Sequence, residues 1–320
     1  MSNTPLKLTL NVLILIIVVV ISCKSAKPIE SINKSTIATN YEKLNYINYF
    51  VKINEADSLY LVDDFKGSYE ILDSIFKIYA PLNSDNYVEY GVYLNSAVMT
   101  GNLKNIEDKV RFAYLNFGNI QTHHKNGFEM YLAVNKIAKI TDGEIKNLKL
   151  KYYNNLDLIL RKKMLEMYKL DQEVRIHKKS DYEMIKVDEM NRLQLNYIFE
   201  KYGFPTKKLI GSNNAYDVPD NGSIYLNIFF MHQPDSIRSK YLPILLEGLK
   251  KGYCEPQIYA IVYDRDLILK GKKQYYGTYL CANDEVCPVE FPNKIDSIRK
   301  SIGLPHLKYY PWKIKQLSNN

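Results

Sequence analysis

At 320 residues, the chain has room for two domains of ordinary size beyond its first forty positions. Its formal charge is +8, but acidic residues are interleaved with basic ones and no run of five like charges occurs; with no recognition helix, zinc finger or RNA-binding signature, nucleic acid is excluded as a partner. There is also no G-x-S-x-G elbow, Walker loop, dinucleotide fingerprint or H-E-x-x-H helix, so the commonest hydrolase, nucleotide-binding and zinc-protease classes are excluded and no cofactor is implied.

The first element is an apolar run from Leu8 to Ile21, preceded by a single charge, Lys7. It falls short of the roughly 20 residues a membrane-spanning helix needs, and reads as a secretory signal over residues 1–22. Val20-Ile21-Ser22-Cys23 resembles the lipobox of bacterial lipoproteins. The resemblance implies cleavage before Cys23 and lipid on its sulfur and new amino group, which would hold the protein on a membrane. Residues 23–40 are polar, contain Pro28 and lack a helical period, so they read as a tether. Lys24 stands where an aspartate would favour inner-membrane retention, and no acidic string follows. The expected address is the cell envelope, facing the periplasm, on the outer membrane.

From Tyr41 to Phe117 apolar residues recur at spacings of three and four. Ala56, Leu59, Phe65, Ser68, Leu72 and Ile75, followed by Pro81, alternate small and bulky residues over two consecutive helices. A second unit runs through Tyr90, Leu94 and Ala97, a turn at Gly101-Asn102, then Ile106, Val110 and Ala113. Both resemble degenerate tetratricopeptide repeats, whose small residues let paired helices approach closely. A third helix is expected from Phe128 to Ile140, after a loop whose His123 and His124 read as surface residues.

The second half begins with one long helix predicted over Glu144–Lys178, with Leu156, Leu160, Met164, Met167 and Val174 near one face and an Asp171–Arg175 pair at i,i+4. A helix over Tyr182–Tyr202 follows, stopped by Gly203 and Pro205; Asn191 sits on its apolar stripe and needs a partner. After a turn at "PDNG", Ile224–Met231 is a buried helix or strand ending at His232. "KYLPILLEGLKKG", with Pro243 near its start, and "EPQIYAIVYDRDLILKGK" are helices. Arg265 falls on the buried stripe of the second, where a guanidinium calls for a carboxylate. "QYYGTYLCANDEVCPVEF" alternates and turns like a β-hairpin. Cys281 and Cys287 flank its turn, as a disulfide or as free thiols, and Cys254 is left over; paired metal-ligand spacing is absent, so no metal is assigned. A short helix over Ile295–Ile302 and "GLP" finish a chain that reads as mostly α. Residues 41–142 form a helical-hairpin, repeat-like region, and residues 143–320 a helical domain with a small β-hairpin.

Residues from about 155 to 310 resemble a bacterial family of uncharacterised domains. The resemblance is carried by "DQEVR", "DEMN", "YGFPT", His232, "YLPILLEGLKKG", "YAIVYDR", "QYYGT" and "IDSIRKSIGLP" in that order. It names a domain and implies no reaction. Three positions depart from the family pattern: Met231 and Tyr279 replace glutamines, and an arginine pair is reduced to Ile298-Arg299. Lost polar groups of this kind weaken a catalytic reading.

His232, Asp264 and Arg265 are the catalytic candidates, and Asn191, Gln274 and Tyr276 the ligand-binding ones. A histidine can act as a base near neutral pH, while arginine and glutamine can hold a carboxylate or phosphate-like group. The plainer alternative has Asn191 and Arg265 satisfying helix ends and loop carbonyls, Asp264 and Asp171 forming structural ion pairs, and His232 capping its segment. Two functions follow. One is an anchored scaffold that binds an envelope protein or peptide, with the candidates buried and separately satisfied and an apolar groove on residues 41–140. The other is a hydrolase-like enzyme or small-ligand binder, with the candidates converging on a solvent-reachable pocket.

Overall fold

The computed structural model describes residues 45–213, 222–281 and 285–318. The signal, Cys23, the tether, the "PDNG" turn up to Asn221 and the first three residues of "ANDEV" lie outside the described residues. Fourteen α-helices and one 3-10 turn follow one another, with no extended strand among the described residues.

The N-terminal part is built of helical pairs. α1 (Ile47–Leu61) packs on α2 (Phe65–Ile75), whose start is fixed by Asp64 Oδ1 accepting the Gly67 N–H at 3.0 Å. Ala56 and Ser68 are fully buried, as small residues between close helices should be. α3 (Glu89–Met99) packs on α2 and α4 (Ile106–Phe117), and α5 (Gly127–Ile137) lies against α3 and α4. The loop before α5 differs from expectation, because the His124 side chain is 1% exposed and its ring lies 4.9 Å from that of Tyr60. An imidazole has enough apolar edge to fill an aromatic niche, and Nδ1 of His124 accepts the Asn126 N–H at 3.1 Å.

The predicted long helix is two: α6 (Asp142–Asn154) and α7 (Leu158–Ile176). Asp157 restarts the chain, its Oδ1 accepting the Leu160 N–H at 2.8 Å. α8 (Asp181–Tyr202) opens on a capping box of Ser180 and Glu183 and stops at Gly203, whose φ of 71° only glycine adopts freely. After the short α9 (Lys207–Ile210), the apolar segment is a helix, α10 (Leu226–Met231), with His232 as its C-cap. α11 (Asp235–Lys250) starts eight residues before Pro243, which therefore lies inside it, and it packs on α12 (Pro256–Leu269). The expected hairpin reduces to two isolated bridges, Gln274 with Val289 and Leu280 with Val286, beside a Cys281–Cys287 disulfide. α13 (Ile295–Lys300) and a last helix that the sequence reading missed, α14 (Tyr309–Ser318), complete the chain.

One apolar cluster runs from Tyr46 on the N-terminal side to Tyr309 in α14, and Tyr41–Asn320 forms one compact unit. Within it, α14 is tied to α1 by a buried ion pair, Lys313 Nζ to Asp57 Oδ2 at 2.7 Å. Tyr309 also donates to that carboxylate, and Lys313 donates to the Asn86 carbonyl at 2.8 Å.

Candidate functional site

The six candidate residues fall into two groups. The first lies where α7, α8 and the end of α10 meet. Asp171 projects from the buried face of α7 and is 1% exposed. Its Oδ1 accepts from Arg175 Nη1 at 3.0 Å and from His232 Nδ1 at 2.9 Å, and its Oδ2 accepts from Gln172 Nε2 at 2.8 Å. Arg175 Nη2 also donates to Asp188 Oδ1 on α8 at 2.6 Å. Burial raises the Asp188 pKa above the usual carboxylate value, with the Arg175 contact opposing. Gln233 Nε2 donates to the carbonyls of Asp188 and Phe229, each at 3.1 Å, binding α8 to α10. Asn191, one turn beyond Asp188, is buried and donates a long 3.5 Å bond to the Met167 carbonyl.

Asp171, Asp188 and His232 each offer an atom within 4.8 Å of the others, a spacing that could hold a metal ion. The guanidinium of Arg175 bonds both carboxylates and already supplies the positive charge they need. A cation there would have to displace it. The arrangement is an ion-pair strut between two helices, with one imidazole attached. The His232 side chain is 18% exposed, and its Nε2 has no protein partner among the described residues.

The second group holds the loop after α12. Asp264 is fully buried, and its carboxylate accepts the N–H groups of Tyr275, Tyr276 and Thr278 at 2.8 to 2.9 Å and the Thr278 hydroxyl at 2.8 Å. This wrapping explains why residues 275–278 turn instead of extending as a strand. Gln274 Nε2 donates to the carbonyls of Tyr279 and Cys287, and its Oε1 accepts the Tyr279 N–H at 2.7 Å. The Tyr276 ring packs among Tyr259, Tyr263 and Tyr275, and its carbonyl accepts from the buried Arg299 at 2.6 Å.

The carboxylate on His232 is Asp171, while the loop's four donors consume Asp264. One expectation is corrected. Arg265 has no carboxylate partner among the described residues, and its Nε is buried without an acceptor. The Tyr279 hydroxyl is likewise buried without a partner; burial pushes its pKa up to about 12, with Arg265 opposing. Asp188 was missed as a site residue, although its place three residues before Asn191 on one helix face was a usable signal. A surface concavity lies elsewhere, lined by Ser58, His306, Lys308, Pro311, Trp312 and Lys315, and shares no residue with either group.

Residues 160–318 match the model of a family of unknown function, DUF6624. The matched stretch contains both polar groups and begins inside α7. No curated protein and no solved structure matches the chain.

Proposed function

We propose that the chain is a lipoprotein of the cell envelope, held by lipid on Cys23 to the outer membrane with its body facing the periplasm, as Lys24 supports, and that the body serves as a protein-interaction scaffold. The observation that carries this reading is the outward face of α8. Tyr182 and Ile185 are 75% and 65% exposed, and Met190, Leu193 and Tyr197 continue the same stripe down the helix. The inner face of the same helix is fixed by Asp188, Asn191 and the Arg175–Asp171–His232 strut. A rigidly held helix with an uncovered apolar stripe suits recognition of a partner surface. The apolar residues exposed on residues 41–140, such as Val62, Met99, Phe112 and Phe128, are spread over separate elements. Among the described residues no helix is long and apolar enough to cross a membrane.

A second reading has its own observation. Asp171 orients His232 through Nδ1 and leaves Nε2 available, the arrangement of a general base. Envelope cross-linking with purified variants separates the two. The scaffold reading expects Leu193→Asp to abolish a cross-linked partner that His232→Gln retains; a phenotype lost with His232→Gln alone would replace it with the catalytic one. Mass spectrometry of the mature amino terminus tests the anchor, and an unmodified Cys23 removes it.

A further inference from the structure

We infer that the partner seated on α8 is a second copy of the same helix, paired antiparallel about a two-fold axis between Val187 and Asp188. The inference rests on the reading of α8 as a docking element. Two exposed charges of opposite sign, Lys186 and Glu189, sit in the middle of the apolar stripe. In an antiparallel pair, residue i faces residue j with i+j constant. A sum of 375 sets Lys186 level with the second copy's Glu189 and Tyr182 level with its Leu193 along the seam, with Ile185 and Met190 on its two flanks. The two-fold axis then repeats each contact. Tyr197 falls outside the paired span, where Lys163 and Lys201 lie over its ring at 4.8 and 5.6 Å, as a polar rim would.

The alternatives handle the same charges badly. A parallel in-register pair sets Lys186 on Lys186 and Glu189 on Glu189. An antiparallel register four residues longer sets both charges on apolar side chains. A lipid surface would desolvate both and offer Lys186 no carboxylate. Glu189 is bonded to Arg192 at 3.1 Å within its own helix, and both groups are solvated enough for that contact to be shared. From Tyr182 to Leu193 the contact spans about 17 Å of a single helix at 1.5 Å per residue, a narrow strip against the roughly 800 Å² per partner of a standard-size interface. The pair therefore belongs to the weak, reversible class.

The test uses residues 23–320 with Cys23→Ser, which keeps the compact unit Tyr41–Asn320 whole without lipid. Sedimentation velocity across a wide concentration range should show a monomer–dimer equilibrium. Lys186→Glu alone and Glu189→Lys alone should each weaken it at least about tenfold, and the two together should restore it, because the exchanged charges again face each other. Circular dichroism confirms that each variant is folded, as expected for exposed positions. A chain monomeric throughout, a dimer indifferent to the single exchanges, or a double exchange that fails to restore pairing each overturns the inference. A monomer that still loses its envelope cross-link on Leu193→Asp sinks self-pairing and leaves the docking reading standing. A monomer that binds phosphatidylglycerol vesicles through Leu193 gives the face to lipid and refutes both.

Discussion

Burial moves His124 and Asp188 in opposite directions, and the signs set different pH windows. It lowers the pKa of His124, with Asp63 Oδ1, 3.3 Å from Nε2 but without a well-formed hydrogen bond, offsetting only part of the effect. The stability His124 contributes is therefore complete above the ordinary histidine pKa of about 6.5 and lost as pH falls through its lower folded value. Asp188 is raised, so its contribution is complete below the ordinary carboxylate pKa and lost as pH rises through the folded value. Between pH 7 and 5 the midpoint of thermal unfolding should fall, and His124→Gln should flatten that slope; a slope unchanged in the variant would place its cause elsewhere. At this scale the sequence told only part of the story. Asp171 and Arg175 were legible as neighbours on one helix face. His232 lies 61 positions from Asp171, and no local period connects them. Asp264 stands beside Arg265 in the sequence and reads as a catalytic candidate, but four donors from the loop after α12 occupy its carboxylate.

Among the elements, the break between α6 and α7 shows why periodicity alone misleads. Leu156, Leu160 and Met164 continue an apolar stripe across the gap, although Leu156 packs with Tyr152 in a small separate cluster. The stop is written in cap chemistry: Asn155 ends one helix and Asp157 begins the next. Asp157→Ala should cost about 1 kcal/mol, read as a lower denaturant midpoint with an unchanged slope. α14 was missed for a related reason. Pro311 looks like a helix breaker, yet it occupies the first turn, where its absent N–H is not needed. The helical pairs of residues 47–117 were readable because their small and bulky residues alternate at contacts that are local in sequence.

For the molecule as a whole, the joint between α1 and α14 is the feature no local pattern could reveal, since Asp57 and Lys313 are 256 positions apart. Lys313→Met should leave the Asp57 carboxylate buried with Tyr309 as its remaining side-chain donor. Removing one partner of a buried pair costs about 3–5 kcal/mol, a loss that equilibrium denaturation should register as one cooperative transition shifted to lower denaturant. A cost below 1 kcal/mol would mean that water reaches the pair. The same joint bears on the stretch that the family model outlines. A gene fragment cut at residue 160 carries Lys313 and Tyr309 but omits Asp57, Asn86 and the apolar wall of α1. Such a fragment exposes an ammonium group built for burial beside a bare hydrophobic flank, so in this chain the outlined stretch is not a transplantable part and depends on residues upstream of its own border.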